Sequence, residues 1–196
     1  MSKNFKKQVF EIIRTHRKMV TELEESGLET ISAIAGAIVK AIKKGAMVYI
    51  CGNGGSAADA QHIAGELVGR FEANRKALAA VALTTDTSIL TSISNDYGYA
   101  DTFAKQVKAL GRQGDVAVGI STSGTAANVI KAIKVAKDLG LKTVGLTGGG
   151  GGDLVKLVDF ALVVDSSTVA RIQEVHITIG HVLCEMVDRM LFQQPT

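Results

Sequence analysis

Two short strings in this chain combine residues that bind anions. Gly52-Asn53-Gly54-Gly55-Ser56 follows the apolar run Met47–Cys51 and precedes a helical stretch from about Ala57, so backbone N–H groups at a helix start face the end of a strand. Ser121-Thr122-Ser123-Gly124-Thr125 follows the run Val116–Ile120 and opens a helical stretch from about Ala126 to Asp138. Hydroxyls and helix N–H groups together ligate phosphate oxygens without a metal or a P-loop lysine. A single Ser there would be an ordinary N-cap, but four hydroxyls in five residues exceed what capping needs. Neither string reads Gly-x-x-x-x-Gly-Lys-Ser/Thr, which argues against nucleotide hydrolysis. The first also satisfies a relaxed dinucleotide pattern, Gly52-x-Gly54-x-x-Ala57. The acidic residue some twenty positions on, Glu72, precedes the next strand instead of ending it, which argues against a nicotinamide or flavin site.

Beyond the first string, His62 and Glu66 are four residues apart and share one face of a helix. Such pairs are common on surfaces. This one follows an anion loop by a turn or two, where it becomes a candidate for proton transfer or metal ligation. The last helix carries Arg171, Gln173, Glu174, His176 and His181 among Ile172, Val175, Ile177, Ile179, Val182 and Leu183. Polar groups on an apolar helix need partners or a function. His176 reads equally well as a core histidine bonded to a carbonyl.

The elements that must position these residues follow from apolar spacing. Phe5, Val9, Phe10, Ile12, Ile13, Met19, Val20 and Leu23 recur at three and four residues and predict an amphipathic helix over about Lys3–Glu25. A second helix runs from about Glu29 to Lys44 and stops at Gly45. Five short apolar runs follow, Met47–Cys51, Ala79–Leu83, Val116–Ile120, Thr143–Leu146 and Phe160–Val164, separated by helix-length segments. They predict a five-stranded, doubly wound parallel α/β sheet, with two extra N-terminal helices and a long C-terminal helix from about Thr168 to Phe192. Gly148–Gly152 reads as a strand-to-helix loop. In an open α/β sheet ligands sit at the carboxyl ends of the strands, so all the motifs are expected there.

A length of 196 residues supports one domain, 1–196, with the helical pair over about 1–45 and the α/β core over about 46–196. The net charge of +3 is too small to make nucleic acid or a membrane the main partner. Cys51 and Cys184 cannot form a disulfide framework and read as buried thiols in a reducing compartment. The N-terminal lysines precede no uninterrupted apolar segment, so no secretory leader is expected, and the chain reads as cytoplasmic.

The chain resembles the phosphoheptose isomerases of the SIS (sugar isomerase) fold, a flavodoxin-like three-layer sandwich. The motifs that carry the resemblance are Gly52-Asn53-Gly54-Gly55-Ser56, His62-x-x-x-Glu66 with Leu67 and Arg70, Asn95-Asp96, Ser121-Thr122-Ser123-Gly124, and Arg171-Ile172-Gln173-Glu174 followed by His181. The resemblance implies interconversion of sedoheptulose 7-phosphate and a manno-heptose 7-phosphate that feeds lipopolysaccharide assembly. It implies a homotetramer with sites built from more than one subunit, and Zn2+ held by His62, Glu66, Gln173 and His181. It also implies Glu66 and His181 as the acid/base pair. Substrate contacts would come from Asn53, Gly54, Gly55, Ser56, Glu66, Arg70, Asn95, Asp96, Ser121, Thr122, Ser123, Thr125 and Gln173. Ala126 stands where the family often has a further serine. Gln173 and His181 lie about 12 Å apart along a straight helix, so only extended side chains would meet on one ion. A non-catalytic relative, the DnaA initiator-associating protein, shares the glycine loop and the Arg-Ile-Gln-Glu segment but lacks counterparts of Glu66 and His181. A sugar-phosphate-sensing regulatory module is a third reading, and it too has no need of those two groups.

Overall fold

The computed structural model describes residues 2–72 and 74–192; the outermost residues of the expected 1–196 domain lie outside them. Two helices, α1 (Ser2–Ser26) and α2 (Leu28–Lys43), precede the sheet. The core then runs β1 (Val48–Gly52), α3 (Gly55–Val68), β2 (Ala80–Ala82), α4 (Thr87–Tyr97), a 3₁₀ turn Tyr99–Asp101, and α5 (Thr102–Leu110). It continues with β3 (Val116–Ser121), α6 (Ala127–Asp138), β4 (Lys142–Gly148), a 3₁₀ turn Leu154–Lys156, β5 (Phe160–Val164) and α7 (Val169–Phe192). All strand pairings are parallel, in the order β2-β1-β3-β4-β5. This is the doubly wound sheet that the apolar runs predict.

Every residue of β1 and β3 is buried, which is why these strands read as unbroken apolar runs. Alternate residues serve different layers. Val48, Ile50, Val116, Val118 and Ile120 face a core built with α2, α3 and α7. Tyr49, Cys51 and Ala117 face a second core with Phe103 and Val107 of α5 and Val129 and Ile133 of α6. The strand period of two therefore divides one sheet between two helical layers.

Between β4 and β5 the glycine run departs from the expected strand-to-helix loop. Only the single 3₁₀ turn Leu154–Lys156 forms there, because Gly149, Gly151 and Gly152 hold positive φ (59°, 80° and 58°) and leave too short a segment for an α-helix. At the N-terminus, α2 buries Ile31, Ile34, Ala35, Ile38 and Val39, whereas α1 buries Met19 and leaves Phe5, Val9, Phe10, Ile12 and Ile13 more than half exposed. Cys51 and Cys184 are buried and unpaired. Among the described residues no helix is long and apolar enough to cross a membrane.

Candidate active site

Both anion strings fall at strand ends, and both lead into helices that start without a side-chain cap. Gly54 precedes α3 and Ala126 precedes α6, and neither residue caps its helix through a side chain, although within α6 Asn128 Oδ1 accepts from Val129 N–H (3.0 Å); by contrast, Asp86 accepts from Ile89 N–H at the start of α4. Uncapped first turns leave N–H donors for a ligand. The four hydroxyls do not act as one set. Ser121 ends β3 and is buried, Thr122 is half-buried, and Ser123 and Thr125 are exposed with their hydroxyl oxygens 2.9 Å apart. The outer pair and Thr122 are the hydroxyl residues of this string that are open to solvent.

The two loops are fastened to each other by residues that spacing alone did not single out. Asn53 Nδ2 donates to Asn128 Oδ1 (2.9 Å), Asn128 Nδ2 donates back to Asn53 Oδ1 (2.8 Å), and the Tyr99 hydroxyl donates to the same Asn53 oxygen (2.9 Å). Asn53 thus joins the loops as well as bordering the anion site. Asn128 is buried among apolar residues in the first turn of α6, a polar residue on an apolar face and the one sequence signal that marked it. Behind the second loop, the glycine run serves as a backing. A Cβ on Gly124 would come within 2.0 Å of the Gly151 carbonyl oxygen, and Leu154 N–H donates to Gly124 O at 3.0 Å.

The titratable residues gather where α3 meets α7. Gly180 lets the helices approach, since a Cβ there would lie 2.8 Å from Ile63 Cδ1 and Cγ1. Each neighbour of that contact is a histidine, and His62 Nε2 lies 2.8 Å from His181 Nε2. The rings meet edge to face with centroids 4.9 Å apart, and Phe71 lies 5.8 Å from the His181 ring. Glu66 Oε1 is 3.3 Å from the same His62 nitrogen. One helical turn before His62, burial lifts the Asp59 carboxyl to about 6 against the opposing pull of His62. The arrangement offers two imidazoles and a carboxylate for proton transfer.

Among the described residues no three His, Cys, Asp or Glu side chains stand as a preformed metal cage. Two imidazole ligands on a tetrahedral zinc, with bonds of about 2.0–2.1 Å, would have their nitrogens roughly 3.3 Å apart, and here they are hydrogen-bonded at 2.8 Å. The donor types suit zinc, and a modest opening of the pair would admit it. Gln173 does not join this group: its amide lies against Gly55, at the loop end of α3.

Position along α3 corrects the expectation that every motif sits at the strand ends. His62 lies about 9 Å and Glu66 about 15 Å along the helix axis from Ser56, at 1.5 Å per residue. Within one chain, then, the loop opens α3, His62 lies at its middle and Glu66 near its end. Asn95 and Asp96 close α4, exposed and bonded to each other (Nδ2 to Oδ1, 2.9 Å), and Arg70 is exposed just beyond α3. The remaining polar residues of α7 hold structure together. Arg171 donates to Ile12 O (3.2 Å) and to Glu174, whose other oxygen lies 3.0 Å from His16 Nδ1, tying α7 to α1. His176 is fully buried with Nε2 3.1 Å from Thr147 O; burial lowers its pKa and the carbonyl partly offsets that, so it is a core histidine. A cavity of about 420 Å³ between α1, α2 and β5 contains none of the candidate site residues. The histidine pair sits on an open surface instead.

The 2-1-3-4-5 order is that of flavodoxin-like doubly wound sheets, and a family model described as SIS domain matches residues 12–148, which places the chain in the SIS-domain class. A phosphoheptose isomerase from Roseiflexus sp. (strain RS-1) is 53% identical over 193 residues, covering 98% of each chain. The structure of phosphoheptose isomerase GmhA from Neisseria gonorrhoeae superposes with a TM-score of 0.89 at 43% identity, over 94% of this chain and 98% of that one. A phosphoheptose isomerase from Francisella tularensis gives 0.91 at 36% identity, over 96% and 100%. The chain belongs to the phosphoheptose isomerase family.

The helix approach at Gly180 generates a prediction. Gly180→Ala forces α7 off Ile63, and turnover is expected to fall roughly 10–100-fold, the scale of an ångström's misplacement at a reacting centre. Combining it with Ile63→Ala removes the clash and should restore most of the turnover, although Tm drops. Steady-state assays of both proteins check this; equal losses in the two would mean that the close approach is unimportant.

Proposed function

We propose that the chain is an aldose–ketose isomerase that interconverts sedoheptulose 7-phosphate and D-glycero-D-manno-heptose 7-phosphate through an enediol. One observation carries the reading at the level of chemistry: Glu66 and His181, far apart in sequence, both lie against the Nε2 of His62. Moving a carbonyl between C1 and C2 needs a base for the carbon proton and a group that exchanges protons with the two oxygens. Glu66, one quarter exposed, takes and returns the carbon proton. His181 passes protons to and from the oxygens near neutral pH, with its ring held by His62 and Phe71. His62, Glu66 and His181 are the side chains that would hold a zinc ion, and Gln173 would join them only from an extended rotamer or a neighbouring subunit. Such an ion polarises the carbonyl and stabilises enediolate charge. At the other end of the substrate, Thr122, Ser123 and Thr125 with the first turns of α3 and α6 hold the phosphate, whose binding free energy positions the reacting carbons.

The reading includes a homotetramer whose sites draw on more than one subunit. Two observations support it: the exposed apolar stripe of α1, and the distance along α3 between the anion loops and the histidine pair of one chain. It also includes a cytoplasmic location, in keeping with two buried, unpaired thiols. The DnaA initiator-associating relative keeps the fold without needing a Glu66–His181 pair, and the meeting of those groups here favours the enzyme.

Three outcomes are expected. Glu66→Gln should cost more than the roughly 10²–10⁴-fold typical of losing a general base, His181→Gln a similar amount, and the double variant little more than the worse single. Thermal shift should still report sugar-phosphate binding in all three; a parent that binds sedoheptulose 7-phosphate and never converts it would reject the enzyme and favour the binding protein. Metal analysis of protein purified without chelator should find one divalent ion per site, with EDTA slowing turnover, whereas full activity without metal would leave the trio to proton transfer alone. Light scattering should return a tetramer mass at micromolar concentration, and a monomer mass would remove the shared-site reading.

A further inference from the structure

We infer that Arg75 and Asp188 are positioning residues for the Glu66–His181 pair, a role that rests on the isomerase reading above. Arg75 lies in the loop after α3, and its guanidinium turns back onto the end of that helix. Nη2 donates to the carbonyl of Glu66 itself (2.8 Å) and Nη1 to that of Leu67 (2.8 Å), while Nε donates to Asp188 Oδ1 (2.7 Å). The two side chains are 2% and 4% exposed, so this is a buried ion pair. The last carbonyls of a helix have no partner within it, and a cation there also meets the negative end of the helix dipole. Arg75 therefore caps α3 at the residue that carries the carboxylate.

Asp188 extends the fastening to α7. It lies seven residues past His181, two helical turns on and about 20° from the same face at 3.6 residues per turn. The pair thus joins the backbone of Glu66 to the helix of His181 by two consecutive charge-assisted bonds. Cys184, between His181 and Asp188, reports the convergence. Burial pushes its thiol up to about 12, with the Glu66 and Asp188 carboxylates adding to the shift and Arg75 opposing it. Together with the Gly180–Ile63 contact this gives α3 and α7 two fixed points, one beside the histidines and one beyond the carboxylate. This second fastening adds to the apolar packing between the two helices and limits how far α3 can rotate or tilt at Glu66. Burying a charged pair gives weak stability compared with apolar side chains of the same volume, so conformational specificity is what this pair supplies.

The test separates positioning from stability. Asp188→Asn keeps the shape and one acceptor oxygen; Arg75→Met combined with Asp188→Leu replaces the pair with apolar groups that restore packing. Each is assayed well below its own Tm, so that all molecules are folded. The expected result in both is a kcat lower by about 10–100-fold, the usual scale for groups that orient catalytic ligands, with KM for sedoheptulose 7-phosphate little changed. The ring nitrogen shifts of His62 and His181 in long-range proton–nitrogen NMR spectra should move as well. A kcat equal to the parent's in the folded apolar double variant, with unmoved histidine shifts, overturns the inference. A parent without isomerase activity would instead sink the functional reading, and the histidine shifts alone would then decide whether Arg75 and Asp188 set the geometry.

Discussion

The approach of α3 to α7 is the constraint on which the rest of the candidate site depends. The two helices are far apart in the chain and meet because Gly180 has no side chain where Ile63 packs. Their faces are otherwise apolar, with Ile63, Ala64 and Leu67 set against Ile172, Val175, Ile179 and Leu183 in one core. That packing supplies the favourable free energy, and the missing Cβ sets the distance. The histidines on either side of the contact are brought to 2.8 Å as a consequence. A chain lacking the sheet would have no means of bringing residues 62 and 181 together.

Polar residues on the apolar C-terminal helix meet three different fates, and burial decides among them. His176 points into the core, accepts full desolvation and satisfies one nitrogen on the Thr147 carbonyl. Arg171 and Glu174 fasten the helix to α1 through Ile12 O and His16. His181 lies at an open surface beside His62. Residue type does not separate the two histidines of this helix. Their angular positions on it do.

The anion end of the site is organised by backbone instead. Two helices start without a side-chain N-cap at the strand ends, the reciprocal Asn53–Asn128 amide pair holds their loops together, and Gly148 and Gly152 back the second loop by closeness that no side chain would permit. The titratable groups sit farther along α3, with His62 at its middle and Glu66 near its end.

By itself the sequence determined the fold class, because strands buried on both faces read as short apolar runs and helices as three- and four-residue spacing. The five strands and the five helices it outlined lie within a few residues of where spacing put them. The strings 52–56 and 121–125, the His62/Glu66 pair and the resemblance to the isomerase family were legible for the same reason: they depend on local order along the chain. The 3₁₀ turn after β4 was not, because apolar spacing does not register that three glycines with positive φ leave no room for a helix. Nor were the roles of Asn128, Tyr99, Arg75 and Asp188, whose partners across the fold lie between 8 and 113 positions away and have no periodic relation to them. Only the tertiary structure decided that His181 meets His62 while His176 enters the core, and that Gln173 stays with Gly55 at the far end of the helix. The physical reason is that contact between distant segments is set by how two helices pack on a twisted sheet, and the position of one missing Cβ has no meaning until that packing exists.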